Sequence, residues 1–186
     1  MYATWHLTIC QLRSELREHR TKQLAHQKDA RPYIISATFL EGHEGTGEVL
    51  RTADDSLAAF LASMRDSGEL NDTVLIIGAD YGLHMGLNYA FLQSGRIEHN
   101  NPFFAMSVPE WLHEFSEKKN TRLNMDRKRL VTPFETHHTF RVLADWPEFE
   151  ADSWKRSLFA AQKTGRTCEE AGIGANFCMC KIPATQ

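Results

Sequence analysis

Two nearly continuous apolar runs stand out in a chain of otherwise mixed polarity: residues 33–40, Tyr-Ile-Ile-Ser-Ala-Thr-Phe-Leu, and residues 73–77, Thr-Val-Leu-Ile-Ile. Both are short, rich in β-branched side chains and bounded by turn formers. Arg31-Pro32 precedes the first, and Asn71-Asp72 and Gly78 flank the second. Such runs predict fully buried strands of the kind found in a parallel sheet. Between them, Val49, Leu50, Ala53, Leu57, Phe60, Leu61 and Met64 follow the three-four spacing of a helix buried on one face, which predicts a helix over 48–67. Strand, helix, strand in that order makes a βαβ unit, with parallel strands and a right-handed crossover.

Around this unit the pattern is less regular. Residues 8–28 carry one narrow stripe, Leu12, Leu16 and Leu24, which predicts a surface helix. Residues 87–101 read as a long polar loop, 102–108 as a third strand ended by Pro109, and 110–115 and 120–129 as short helices. Thr132-Pro133 is a helix start, with threonine as N-cap and proline at the first helical position, and the helix follows over 134–145. Beyond Trp146 regularity fades, with one short strand expected at 157–159. The class expected is α/β: a mixed, mostly parallel sheet flanked by helices.

Composition adds bounds. At 186 residues, one domain with a real core is the default. A formal net charge of -3 gives no reason to expect nucleic acid. The clusters Lys118-Lys119 and Arg127-Lys128-Arg129 read as solvated helix faces. No apolar run approaches the ~18 residues of a membrane span, and no signal segment opens the chain.

The chemistry lies at the ends of the two apolar runs. The second runs into Asp80, Gly82, His84 and Gly86, and the first into Glu41-Gly42-His43-Glu44-Gly45-Thr46-Gly47. Ligands of open α/β sheets bind outside the carboxyl ends of strands. A βαβ unit brings both loops to that one edge, so His43, Asp80 and His84 are expected to converge. The plainer alternative is that Asp80 caps a turn and the His43 loop is a connection. His137 and His138 diverge on their helix and cannot chelate one ion as an i, i+4 pair would. Cys10 stands alone, while Cys168, Cys178 and Cys180 crowd the C-terminal tail. That spacing lacks the paired knuckle of a zinc site. It suits a disulfide formed in an oxidising compartment. Three cysteines cannot all pair, so one is left for Cys10, another chain or the thiol state.

Several motifs occur in a familiar order. The Asp80-Tyr81-Gly82 turn is followed by Glu98-His99-Asn100-Asn101-Pro102-Phe103-Phe104 and then by Pro109-Glu110-Trp111-Leu112. Next come Arg129-Leu130-Val131-Thr132-Pro133-Phe134-Glu135-Thr136-His137-His138-Thr139, and finally Cys168-Glu169-Glu170-Ala171-Gly172-Ile173 and Cys178-Met179-Cys180. From about residue 31 to 180 the chain resembles the C-terminal half of the sulfatase-like family of unknown function numbered 229, within the alkaline phosphatase superfamily. The resemblance implies a partial α/β sandwich over 31–160, between an N-terminal helical segment (1–30) and a Cys-rich tail (161–186). Relatives hydrolyse phosphate or sulfate esters using divalent metal, which lowers the nucleophile's pKa and neutralises ester oxygens. Zinc, manganese or calcium would suit the ligand types.

By this resemblance Asp80 corresponds to a metal ligand, His43 to a substrate-contacting histidine, and Glu98 to a loop glutamate placed with the substrate. Where the family has His, or Asn in many sulfatases, this chain has Tyr81, a phenol with pKa ~10 and a poor ligand at neutral pH. His84 is the substitute ligand expected in its place. The half that supplies the nucleophile and the first metal carboxylate has no counterpart in residues 1–30, so no catalytic residue is assigned. The expectation is a partial or degenerate sulfatase-like domain, extracellular or membrane-anchored in a longer parent, with little hydrolysis of its own. The alternatives are a non-catalytic binding or structural module, and a fragment of an intact hydrolase.

Overall fold

The computed structural model describes residues 2–6, 34–39, 42–118, 130–160, 163 and 165–179. The helices expected at 8–28 and 120–129 lie outside them, as do Cys10 and Cys180. The order of elements is β1 (Tyr2–His6), β2 (Ile34–Thr38), α1 (Glu48–Arg51), α2 (Asp54–Asp66), β3 (Leu75–Gly78), α3 (Gly86–Phe91), α4 (Gln93–Asn100), β4 (Phe104–Ser107), α5 (Glu110–Lys118), α6 (Pro133–Ala144) and α7 (Ala151–Arg156). The class is α/β, as the sequence predicts.

The sheet is smaller than expected. Among the described residues the strands form two pairs, β1 with β2 and β3 with β4. β1 and β2 run parallel, with Tyr2 opposite Ile34 and His6 opposite Thr38. A broad, mostly parallel sheet is not formed by these residues, and β2 and β3, the strands of the expected βαβ unit, belong to different pairs. Nor are the two apolar runs fully buried. Residues of β2 alternate between exposed and half-buried, and those of β3 are half-buried until the exposed Gly78. A strand is buried on both faces only where layers cover both, and a two-stranded pair lacks that cover.

The helix expected over 48–67 is present but broken. α1 ends at Arg51, and Thr52 and Ala53 donate to the carbonyls of Val49 and Leu50 at 3.1 and 3.0 Å, tightening the turn before α2 begins. Two expectations are corrected outright. Residues 87–101 are not a loop but two helices, α3 and α4, whose close crossing needs Gly95: a Cβ there would lie 2.4 Å from the Asn88 carbonyl oxygen. Leu87 and Phe91 face outward, at 76% and 79% exposure, and of their large apolar residues only Tyr89 and Ile97 are half-buried, so no continuous buried stripe marks these helices in the sequence. Residues 157–159 are not a strand. They follow α7 as a buried turn in which Ser157 Oγ donates to the Trp154 carbonyl at 2.8 Å and accepts from Phe159 N–H at 3.2 Å.

The chain divides into two compact units, residues 1–70 with 77–104 and residues 71–76 with 105–186. The second holds the core. Leu112, Val142, Trp154 and Phe159 are buried, with Val74, Met106, Val108, Phe115, Leu143, Trp146 and Phe149 packed around them. Rings run through it in sequence: Phe115 edge-on to Trp146 (4.7 Å between centroids), Trp146 stacked on Phe149 (5.4 Å), Phe149 on Trp154 (5.1 Å) and Trp154 on Phe159 (5.6 Å). Each such pair adds about 0.5–1.5 kcal/mol beyond burial. The α5 face that turns inward is Leu112, Phe115 and Ser116, and the α6 face is Glu135, Thr139 and Val142, both at helical spacing.

The start of α6 is as the sequence predicts. Thr132 is an extended N-cap with Pro133 after it, and Thr132 and Glu135 form a capping box. Phe134 N–H donates to Thr132 Oγ1 at 3.2 Å, and Thr132 N–H donates to Glu135 Oε2 at 2.8 Å. These bonds satisfy amides that a helix start leaves orphaned. In the tail, Cys168 and Cys178 form a disulfide with Cα atoms 5.8 Å apart. That pair is one of those the three C-terminal cysteines allowed.

Candidate functional site

The site is built from three short pieces of the first unit: the 43–47 loop, the 79–86 turn and the α3–α4 pair. The first loop is shaped by Glu44. Its Oε2 accepts from Thr46 N–H (2.6 Å) and Thr46 Oγ1–H (2.7 Å), and its Oε1 accepts from Val49 N–H at the start of α1 (3.3 Å). The Thr46 hydroxyl contributes most to holding the Glu44 carboxyl below its ordinary value. Gly47, at φ 73°, then lets the chain turn into α1. The carboxylate therefore serves the loop, and His43 is left exposed beside it.

The second piece follows β3. Ala79 N–H donates to the Phe103 carbonyl at 2.9 Å, which carries the strand pairing one residue further. Asp80 is exposed, and its Oδ1 accepts from Tyr81 N–H at 3.0 Å. Gly82 then passes against the last turn of α4: its N–H donates to the His99 carbonyl at 3.0 Å, and its own carbonyl lies 3.3 Å from His99 Nδ1. A Cβ on Gly82 would sit 2.0 Å from the Glu98 carbonyl oxygen, so only glycine fits this approach. Gly86 is at φ +84°, where a side chain is strained, and a Cβ there would also lie 2.4 Å from the Gly45 carbonyl oxygen. The two glycine-rich loops thus touch backbone to backbone.

These contacts gather five rings. His43 and His84 lie 5.2 Å apart between centroids, and His84 and His99 6.0 Å apart. Tyr81 sits edge-on to His84 at 4.8 Å and tilted to His99 at 5.6 Å. Tyr89 meets His99 edge-on at 5.3 Å. His84 and His99 each meet three of the other rings. Tyr81, His43 and Asp80 reach the surface, while His84, His99 and Tyr89 are half-buried.

Of the residues singled out from the sequence, His43 and His84 are brought together, and Asp80 lies on the same turn. The convergence comes from the Gly45–Gly86 contact and not from a shared sheet edge. Glu98 is exposed, and it meets the turn through its backbone carbonyl. His99 and Tyr89 were not anticipated. The pattern offered one signal for them, the Glu98-His99 step, but residues 87–101 read as a loop gave no register to place it. On α6, His137 is exposed and His138 half-buried, with rings 5.4 Å apart. The Nδ1 of His138 finds no hydrogen-bond partner among the described residues, and burial holds its pKa below the ordinary value.

A divalent ion is tested by the donors. Among the described residues no three His, Cys, Asp or Glu side chains gather to hold a metal. Asp80 and His84 fall short of the three or four protein donors that a zinc site uses. These side chains do not by themselves fit a divalent ion, and no chemical step follows through one.

No curated protein and no solved structure is significantly similar to this chain. The family described as protein of unknown function (DUF229) matches residues 8–185, almost the whole length. The chain therefore belongs to DUF229, the sulfatase-like family that its motifs resemble.

Proposed function

We propose that this chain carries the ester-binding part of a sulfatase-like domain, and that it binds a phosphate or sulfate group at the His43–His84–His99 cluster without hydrolysing it by itself. The observation that carries this reading is the meeting of His43 and His84, at 5.2 Å, from two loops joined by a glycine contact. A tetrahedral oxyanion offers acceptors in several directions. Imidazole N–H groups and a phenol O–H are donors suited to it. The Gly82 carbonyl can accept a hydrogen bond from His99 Nδ1–H, which leaves Nε2 available to a ligand. Asp80 and His84 are the donors that this chain would offer a metal, with the remaining ligands and the nucleophile coming from elsewhere. An oxidising, extracellular setting accords with the Cys168–Cys178 disulfide.

Calorimetric titration with 4-nitrophenyl phosphate and 4-nitrophenyl sulfate tests this. The parent is expected to bind, and His84→Ala to bind on the order of tenfold more weakly, the loss of one hydrogen bond to a charged group. No binding by the parent, or equal binding by the variant, would overturn the proposal. Release of nitrophenol that disappears in Asp80→Ala would overturn the absence of hydrolysis.

A second reading is a structural module with no ligand at this site. It is favoured by the bond from Tyr81 N–H to Asp80 Oδ1, which is a turn-capping role for the carboxylate. In that case neither esters nor zinc, manganese or calcium would shift the melting temperature. A ligand that binds only the folded state at 100 times its dissociation constant adds ~2.7 kcal/mol.

A further inference from the structure

The tail of the second unit is fastened to the start of α6 by a charged contact 31 residues away in sequence. Arg166 Nη1 donates to Glu135 Oε1 at 2.8 Å, and Arg166 Nη2 donates to the Leu130 carbonyl at 3.0 Å. The side chains of Arg166 and Glu135 are only 15% and 11% exposed. Burial raises the Glu135 carboxyl, but Arg166 and Thr132 outweigh it and hold the group ionised below its ordinary value. The same carboxylate closes the capping box. The order of the α6 N-terminus and the position of Arg166 therefore depend on one another.

Two residues after Arg166 the disulfide-closed loop begins at Cys168. Between Cys168 and Cys178 every residue is exposed or half-buried, and Cys168 itself is the buried one. The loop is held by local bonds: Ala171 N–H to the Thr167 carbonyl (3.0 Å), Ile173 N–H to the Cys168 carbonyl (2.8 Å), Thr167 N–H to Glu170 Oε2 (2.8 Å), and the Lys163–Glu170 ion pair. A segment with so little apolar burial does not offset the entropy of ordering itself. The disulfide supplies the missing restraint by limiting the open states of the loop.

We propose that the Cys168–Cys178 loop is a redox-controlled clasp on α6. A dithiol reductant gives two electrons and two protons. The sulfur–sulfur bond breaks to two thiols, and the dithiol closes to its own cyclic disulfide. The freed loop then lets Arg166 leave Glu135, and the capping box loses the cation that keeps its buried carboxylate ionised. In an oxidising medium the clasp is closed and α6 begins at Pro133. In a reducing one the first turn of α6 frays.

Hydrogen–deuterium exchange of the full chain, oxidised and after dithiothreitol, tests this, with peptide mapping of alkylated Cys168 and Cys178 confirming that this bond is reduced. Peptides over 130–138 and 165–177 are expected to exchange on the order of tenfold faster after reduction, the scale of a lost charge-assisted hydrogen bond, while 54–66 is unchanged. The Cys168→Ser/Cys178→Ser double variant is expected to reproduce the reduced pattern without reductant. In Arg166→Gln the 130–138 peptide is expected to be fast already, with reduction adding nothing there. Unchanged exchange at 130–138 after confirmed reduction overturns the clasp. So does acceleration of 54–66 to the same extent, which would mean global unfolding. Additive effects of reduction and Arg166→Gln overturn it as well, because the two would then act separately.

Discussion

The two units of this chain solve opposite problems. The second unit is organised by burial: stacked rings, Leu112, Val142 and Phe159 at zero exposure, and buried hydroxyls and a carboxylate that are hydrogen-bonded, while His138 Nδ1 and Trp154 Nε1 find no partner among the described residues. Thr139 Oγ1 shows how closely, donating to the Glu135 carbonyl at 2.7 Å while accepting from Leu158 N–H at 2.9 Å. The first unit holds the ring cluster, and its shape comes from close backbone approach at Gly82, Gly86 and Gly95. Several of its large apolar side chains, Leu87, Phe91 and Phe103 among them, are exposed, and Met64 is its one large apolar side chain that is buried among the described residues. Packing concentrates where chemistry is sparse, and the candidate chemistry sits where packing is thin. Binding sites are commonly drawn from the less stable parts of a fold.

The comparison can be broken by substitution, and the largest effect is expected in the core. Phe159→Ala should cost about 3–5 kcal/mol in urea unfolding, whereas Phe91→Ala in the first unit should stay within about 0.5 kcal/mol. Equal costs would mean that the exposed and buried rings are not distinguished as described. Next in size, Glu135→Ala removes the partner of a nearly buried Arg166, and about 3–5 kcal/mol is expected. Gly82→Ala sharpens the contrast from the other side. Its Cβ meets the Glu98 carbonyl, so about 1–3 kcal/mol should be lost. Binding of 4-nitrophenyl phosphate should fall with it, which no core substitution of similar cost should match. Thr132→Ala, which opens the capping box, should cost about 1 kcal/mol.

The smallest effect is one of pH. Burial, then the positive charges of Arg156 and His137, lower the folded pKa of His138 below its ordinary 6.5. The unfolded chain therefore takes up the proton first. This contribution is fully present above pH 6.5 and is lost as pH falls from there toward the depressed folded value. Glu135 acts lower. Its stabilisation is present above 4.5 and is lost as pH falls through its lowered folded pKa. Melting temperature measured across pH should show two declining limbs, and His138→Gln should flatten only the upper one.

Much of the fold could be read directly from residue pattern, and the misses share a cause. The α6 start was legible because Thr132 and Pro133 act at adjacent positions, and the structure adds Glu135 to the cap. The cores of β2 and β3 were legible because β-branched runs bounded by turn formers are a local signal. α3 and α4 were not, because a helix shows in a sequence by its buried stripe, and here Leu87 and Phe91 point outward and interrupt it. The buried turn at 157–159 was read as a strand because Ser-Leu-Phe does not reveal whether its amides bond to a neighbouring strand or to a threonine on another helix. At the site, His43 and His84 were legible as chemistry at strand ends, while His99 and Tyr89 depend on the helices that the pattern hid.

The sequence by itself determined the α/β class, the strand ends that carry His43, Asp80 and His84, the cap of α6 and the cysteines available for pairing, because each rests on residues a few positions apart. The tertiary structure decided that the strands form two pairs, that Cys168 joins Cys178, that Arg166 lies on Glu135, and that His99 completes the ring cluster. These depend on which distant backbones can approach. At Gly82 and Gly86 the approach is set by the absence of a single carbon atom, which no local pattern displays.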